Sequence, residues 1–351
     1  MRRFVCHICE SEVTFAAAEC DVCGAGLGFF PSTGELLPVR QIGPAEYTTP
    51  TSGPGSTASW RCLNFAWGCN WMLPDNSGNV WCESCRLTRG RPDESAIDAV
   101  LAWSTVEQAK RRLVFQLQTL GLPIHGPTPD TEGGVVFDLV YLPDSPGVTG
   151  HRPGVVTVDL REVDDRFRES ARVYFDEPDR TVLGHLRHEI GHHYWHLLVE
   201  RAGTIDAFRA LFGDERIDYR RALDEHYAHL GRAVSDTHIS GYAAAHPSED
   251  WAETFAHYLQ VRDGLETAEA FGVVPSSVRG ESLTSMLERW RHLARAVNEI
   301  NLTLGHAAPY PFTISPAVEP KLEFVDAQIR RATGPSGVPV RRRASAEADG
   351  Q

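Results

Sequence analysis

The chain has 351 residues, which is enough for two or three domains, and its content of 42% hydrophobic and 23% charged residues is ordinary for a globular protein. Its formal net charge of −13 argues against nucleic acid or an anionic membrane as a partner. No run approaches the ~20 apolar residues of a membrane span. The first residues contain no apolar secretory segment, so we expect a cytoplasmic protein.

All eight cysteines lie before residue 86, in two sets of four. The first set has two short knuckles, which let four thiolates converge on one zinc ion; its members are Cys6, Cys9, Cys20 and Cys23. The second set has one such knuckle after a wider gap; its members are Cys62, Cys69, Cys82 and Cys85. We expect one structural zinc per set, with a cross-braced exchange of cysteines as the alternative.

The cysteine-rich module, residues 1–92, has no clustered positive charge, because seven arginines and no lysine stand against eight acidic residues. A nucleic-acid surface needs such a cluster, so we expect a folding or docking role instead. Four tryptophans accompany the second set, as its small core or as a surface for a protein partner; they are Trp60, Trp67, Trp71 and Trp81. The Pro- and Gly-rich stretch 43–59 is typical of a linker.

The composition changes at Asp93, where the second domain, residues 93–300, begins. Residues 96–120 have apolar side chains at helical spacing and predict one or two helices. Residues 135–142 and 154–160 are typical of strands.

The segment His188-Glu-Ile-Gly-His192 is an H-E-x-x-H motif within a helix that we expect over residues 180–200. Residues four apart lie one turn above each other, so both imidazoles can reach one metal ion. Glu189 is then placed to act as general base on a metal-activated water. Two neighbouring histidines, His185 and His196, could replace a ligand but do not bracket a glutamate.

Catalytic zinc needs a third protein ligand, and the chain lacks the glycine and the histidine with which a metzincin continues the motif. A second helix beginning at Pro247 supplies Glu249 and Glu253, which are four residues apart and share one face. One of them can bind zinc while the other hydrogen-bonds a ligand histidine. The alternative is an ordinary capped helix with solvated acids.

Further helices are predicted over residues 204–212 and 218–230, within the insert between His192 and Glu249, which are 57 positions apart, and over residues 282–300. The sequence Asp214-Glu-Arg216 within the insert is typical of a structural salt-bridge turn. The remaining residues, 301–351, are an extension that ends in a tail without apolar periodicity, which we expect to be disordered.

The pair of helices resembles the active site of the glutamate zincins, or gluzincins, and is similar to the catalytic domain of the anthrax lethal factor group. Tyr242 lies seven residues before Glu249, and Glu253 lies four residues after it. The resemblance implies that Glu249 binds zinc, Glu253 supports a ligand histidine and Tyr242 assists the oxyanion. By the same analogy, we expect the second strand, residues 154–160, to pair with an extended substrate.

The chain also resembles a bacterial family of zinc-binding metallopeptidases with an N-terminal zinc ribbon, over roughly residues 1–275. The motifs that carry this resemblance are Thr149-Gly-His151, the stretch 183–192, Phe212-Gly-Asp-Glu-Arg216 and the stretch 246–259. We therefore expect an α+β, zincin-like, mostly helical domain with a small sheet, preceded by a four-cysteine zinc-ribbon module.

The function that we expect is zinc-dependent hydrolysis of peptide bonds in a peptide or protein substrate, with one catalytic and two structural zinc ions. The catalytic ion would be held by His188, His192 and Glu249. One alternative is a zinc amidohydrolase that acts on a non-peptide or side-chain amide. The other is a zinc-binding adaptor without turnover, against which the spacing of the base and the ligands argues.

Overall fold

The computed structural model describes residues 2–49, 58–74, 78–93, 95–128, 133–141, 149–168, 181–229, 236–277 and 281–334. Within these ranges, no helix is both long and apolar enough to cross a bilayer. The expectation of a disordered tail concerns residues 335–351, which lie outside the described part of the chain.

The N-terminal region consists of short antiparallel strands. Two hairpins come first, β1 (Phe4–Val5) with β2 (Glu12–Val13) and β3 (Leu27–Phe30) with β4 (Glu35–Pro38). A four-stranded sheet follows, made of β5 (Arg40–Gln41), β6 (Glu46–Thr48), β7 (Ser59–Arg61) and β8 (Met72–Leu73). The linker prediction for residues 43–59 is therefore wrong for β6, and residues 50–57 lie outside the described ranges.

One long helix, α1 (Ile97–Thr119), joins the two halves of the molecule. Its side chain Phe115 packs with Phe15 and Phe29 of the N-terminal region, at ring-centroid distances of 5.3 Å and 5.2 Å. The buried apolar residues form one continuous cluster from Phe4 to Ile329, so the zinc ribbon and the helical region share a core.

A small mixed sheet contains β9 (Val136–Val140), β10 (Gly150–Arg152) and β11 (Val155–Asp159), in the order β10-β11-β9. Strand β11 pairs parallel with β9 and antiparallel with β10. The expectation that residues 154–160 pair with substrate is wrong, because both edges of β11 are already occupied. Strand β10, which the sequence did not predict, is an edge strand of the sheet and contacts the motif helix.

The remaining described residues are mostly helical, which confirms the predicted α+β fold. The helices are α2 (Val182–Trp195), α3 (Ile205–Phe212), α4 (Tyr219–Tyr227), α5 (Pro247–Ala270), α6 (Leu283–Thr303) and α7 (Glu319–Thr333). Helix α2 continues into a π-helical turn at His196–Glu200. Helix α7, which was not predicted, packs on α5, where the ring of Phe324 lies 6.1 Å from that of Trp251 and the hydroxyl of Tyr258 donates to Asp326 at 2.6 Å.

Candidate metal centre

Helix α2 carries the H-E-x-x-H motif and begins at Thr181, whose hydroxyl accepts a hydrogen bond from the Gly184 amide at 2.9 Å. One turn separates His188 from His192, and their Nε2 atoms lie 3.2 Å apart. Both ligand atoms therefore point to one place beside the helix, as the spacing predicts.

Helix α5 contributes the carboxylate, because its first turn crosses α2 closely. His246 caps that turn by accepting a hydrogen bond from the Ser248 amide, and Pro247 is its first residue. Oε2 of Glu249 then lies 3.0 Å from Nε2 of His188 and 3.5 Å from Nε2 of His192. The three side chains meet although 57 residues separate His192 from Glu249 in the sequence.

These three atoms have the spacing that a zinc ion requires. Tetrahedral ligands at 2.0–2.1 Å from zinc are roughly 3.3 Å apart, which matches the measured separations. Oε2 of Glu249 is buried and accepts no hydrogen bond of good geometry from the described residues. Burial raises the pKa of Glu249, but the neighbouring His192 and His188 hold it well below its usual value, so the carboxylate is ionised. The group thus fits a divalent metal.

Glu253 supports the first histidine from one turn further along α5. Nδ1 of His188 donates to Oε1 of Glu253 at 2.7 Å, and Ser240 donates to the other oxygen at 2.6 Å. Burial raises the pKa of Glu253, but the bond to His188 outweighs it and lowers the pKa to about 2. An ionised Glu253 fixes the tautomer of His188 that leaves Nε2 free for a metal.

Glu189 follows the first histidine and is buried, with one carboxylate oxygen that has no hydrogen-bond partner among the described residues. Burial raises the pKa of Glu189, although the nearby His188 and His192 oppose this. A carboxylate with a raised pKa is suited to taking up a proton near neutral pH.

Two tyrosines lie on the side of the centre formed by the insert. The ring of Tyr242 lies 5.8 Å from that of His188, and burial and the charge of Glu249 raise its pKa well above the usual value. Tyr219, the first residue of α4, faces both Glu249 and Tyr242, and burial and Glu249 likewise raise its pKa. Tyr219 is not among the site residues predicted from the sequence. The only sequence feature that points to it is its position at the start of a predicted helix in the insert.

Other histidines surround the centre without joining it. His151 on β10 stacks on His192 at 5.8 Å between ring centroids, and burial lowers its pKa to about 3, so it is neutral. His185 lies 3.7 Å from Glu162, and His196 lies 2.9 Å from Glu200. Within the insert, Asp214, Glu215 and Arg216 form the predicted salt-bridge turn together with Arg209.

The eight cysteines form two clusters in sequence order rather than a cross-braced pair. In the first, Cys6 lies 3.6 Å from Cys23, and Cys9 lies 3.6 Å from Cys20, measured between sulfurs. In the second, Cys69 lies 3.7 Å from both Cys82 and Cys85. Tetrahedral sulfurs at ~2.3 Å from zinc are roughly 3.8 Å apart, so both clusters fit zinc.

The wide gap in the second set is filled by a 3-10 helix, Leu63–Trp67, which returns the chain to the cluster at Cys69. Of the tryptophans around it, Trp71 is fully buried, whereas Trp81 exposes 47% of its surface. The small-core interpretation therefore holds for Trp71 and not for Trp81.

The second cluster also contacts α1. Sγ of Cys85 lies 3.7 Å from Oε2 of Glu107, and the other carboxylate oxygen, Oε1, lies 2.8 Å from Nζ of the fully buried Lys110. Nη2 of Arg111 donates to the Gly68 carbonyl at 2.9 Å. Positive charge beside four thiolates offsets the negative charge of a Zn(Cys)4 site.

Comparisons with known proteins match one family profile to each of the two parts of the chain. The profile of a family described as "Putative zinc-binding metallo-peptidase" matches residues 99–328. The profile of a zinc-ribbon domain matches residues 3–96. Proteins described as uncharacterized, from Mycobacterium bovis and from two strains of Mycobacterium tuberculosis, are each 37% identical to the chain over 335 residues, which is 93% of this chain and 94% of theirs. No solved structure matches the chain at comparable significance.

Proposed function

The chain belongs to the family of zinc-binding metallopeptidases whose profile spans residues 99–328, and from this premise we propose that it hydrolyses peptide bonds at the centre formed by His188, His192 and Glu249. The observation that carries the proposal is the convergence of these three ligand atoms within 3.5 Å, directly beside Glu189. The centre is of the gluzincin type, with Glu249 as the third ligand.

His188, His192 and Glu249 would hold a zinc ion, which would lower the pKa of a bound water to about 7 and polarise a carbonyl group. Glu189 accepts the proton of the attacking water and passes it to the leaving amine, for which its raised pKa is suited. Tyr242 stays protonated because of its raised pKa, and it donates a hydrogen bond to the carbonyl oxygen as negative charge develops there. Tyr219 orients the phenol of Tyr242.

The sheet supports a peptide substrate over a small amide. Strand β10 offers an edge beside the motif helix, and its residue His151 stacks on the ligand His192. An extended peptide can add to such an edge by backbone hydrogen bonds, which hold its scissile bond beside the metal. We propose that the two cysteine clusters bind two further, structural zinc ions.

The test compares the full-length wild-type protein, loaded with zinc, with Glu189→Gln on a broad peptide library. Mass spectrometry of the products should show new termini with the wild type and none with Glu189→Gln, while both proteins keep the same zinc content. Glu200→Gln is the matched control, because Glu200 is exposed at the end of the same helix and should leave cleavage unchanged.

Three outcomes separate the proposal from its alternatives. Cleavage that persists in Glu189→Gln would place the base elsewhere. Hydrolysis of small amides, while the peptides of the library stay uncleaved, would favour the amidohydrolase. Bound zinc without hydrolysis of either class would favour the adaptor.

A further inference from the structure

Lys321 is one of only two lysines in the chain, and it is buried with its charge facing the first turn of α5. Its Nζ lies 2.5 Å from Oδ2 of Asp250, which is itself 1% exposed. Asp250 directly follows the metal-facing Glu249 on that turn. A buried lysine carries a large desolvation cost, which is tolerated only where good geometry offsets it.

The ammonium group of Lys321 also hydrogen-bonds the segment that precedes α5. Nζ of Lys321 donates to the carbonyl of Thr237 at 2.7 Å. Nearby, the hydroxyl of Ser315 donates to the carbonyl of Asp236. Two side chains of the C-terminal segment therefore hold residues 236–237 in place: Ser315 binds the carbonyl of Asp236, and Lys321 binds that of Thr237.

Residues 236–242 lead directly to the metal centre. Ser240 donates to Glu253 at 2.6 Å and accepts from the Ala243 amide at 3.1 Å, and Tyr242 faces His188. Lys321 thus joins two segments that the sequence separates from it, one carrying Glu249 and the other carrying Tyr242.

We infer that Lys321 is a positioning residue of the metal centre, which holds the Glu249 turn through Asp250 and the Tyr242 segment through the Thr237 carbonyl. The inference rests on the proposed metal site. It makes helix α7, beyond the 93–300 boundary expected from the sequence, part of the structure that the centre requires.

Two substitutions distinguish an effect of charge on zinc binding from an effect of positioning. Charge alone predicts opposite changes in zinc affinity for them, whereas positioning predicts the same change for both. By charge alone, Lys321→Met removes a positive charge near the site and should tighten zinc binding, whereas Asp250→Asn removes a negative charge and should weaken it. If Lys321 acts by positioning, both variants disrupt the ion pair between Lys321 and Asp250, and both should weaken binding.

The experiment measures the zinc affinity of the full chain by competition with a chelator, well below the unfolding temperature. The zinc content of a His192→Ala variant, which lacks one proposed ligand, measures how much zinc the cysteine clusters alone retain. We expect Lys321→Met and Asp250→Asn each to weaken the remaining site by about 10-fold or more, as outer-shell substitutions do. The double variant should be no weaker than Lys321→Met, because that variant already removes the contact with Asp250.

Arg330→Met is the matched control, since Arg330 lies on the same helix and pairs with Asp326 at 2.6 Å instead of with the Asp250 turn. Its zinc affinity should equal that of the wild type. Tighter binding by Lys321→Met, or equal loss in Arg330→Met, would overturn the inference. Wild-type affinity in Asp250→Asn would also overturn it, whether or not Lys321→Met folds. A wild-type chain with no more zinc than His192→Ala would instead refute the metal site itself.

Discussion

Gly191 of α2 and Ala252 of α5 lie where these two helices cross. A Cβ atom at Gly191 would be 3.1 Å from Cα of Ala252 and 3.2 Å from its carbonyl oxygen, and Nε1 of Trp251 donates to the Gly191 carbonyl at 2.9 Å. The glycine inside the motif therefore allows Glu249 to reach the two histidines.

Gly191→Ala should push α5 away from α2 by a few tenths of an ångström and weaken zinc binding by about 10-fold, comparable to the loss of an outer-shell contact. Chelator competition measures the affinity. Gly90→Ala is the control, since a Cβ there meets no atom within 4 Å. Equal affinity in the wild type and Gly191→Ala would mean that the helices tolerate the added methyl group.

The two acids of α5 should differ sharply when each is replaced by alanine. Glu249→Ala removes a proposed ligand and should lose the catalytic zinc, whereas Glu253→Ala removes only the bond to His188 and should weaken binding by ~10–100-fold. Elemental analysis after dialysis and chelator competition measure the two effects. The exposed Glu323→Ala on α7 is the control. The reverse order of effects would exchange the roles of the two glutamates.

The two tyrosines should differ in how they affect turnover. Tyr242→Phe should keep the zinc and lower kcat on the order of 10²-fold, the effect of losing one oxyanion donor. Tyr219→Phe should lower kcat less, because Tyr219 acts through Tyr242 and Glu249. Steady-state kinetics with the best library peptide tests both, with the exposed Tyr141→Phe as control. A larger loss in Tyr219→Phe would make Tyr219 the oxyanion donor.

The two cysteine clusters should contribute unequally to the stability of the whole chain. Cys85 is buried against Glu107 of α1, whereas Cys23 is exposed at the other cluster. Cys85→Ser should therefore lower the unfolding midpoint by roughly 5 °C more than Cys23→Ser, since loss of that site also exposes the shared core. Differential scanning calorimetry with zinc analysis measures both. Equal shifts would mean that the ribbon and the helical region are energetically independent.

His257 should make the fold sensitive to mild acid. Its burial, opposed by the nearby Glu253 and helped by the positive charge of Arg187, lowers its pKa to about 4, against about 6.5 in the unfolded chain. The unfolded state therefore binds more protons between these values, so stability is complete above pH 6.5 and falls as the pH drops toward 4.

At pH 5 this histidine alone should cost about 2 kcal/mol of the unfolding free energy relative to pH 7. Urea unfolding of His257→Gln should show a pH-dependent loss that is smaller than that of the wild type by this amount. His306→Gln, at an exposed position, should lose as much as the wild type. An identical pH dependence for His257→Gln would mean that His257 titrates normally in the folded state.

The parts of the centre that lie on single helices could be predicted from spacing alone. His188 and His192 are one turn apart, and so are Glu249 and Glu253, so helical geometry fixes which side chains share a face. The cysteine knuckles are equally local. Hydrophobic periodicity predicted α1 to within one residue at each end, and Pro247 as a first helical residue predicted the start of α5.

The contributions that depend on how distant segments meet could not be predicted. Tyr219 reaches the centre only because the insert folds back over it, and Lys321 does so only because α7 packs on α5. Strand β10 has three residues, too few for a period-two pattern to be recognised. The contact between Cys85 and Glu107 likewise arises from the packing of the ribbon on α1.

The chain has only two lysines, and both are buried in ion pairs, Lys110 with Glu107 and Lys321 with Asp250. Acylating reagents that target primary amines should therefore modify these side chains only when the surrounding structure opens. The rate at which each lysine is acylated, followed by mass spectrometry, would report separately on opening beside the second cysteine cluster and beside the Glu249 turn. Two natural residues thus serve as chemical probes of local unfolding, without any engineered label.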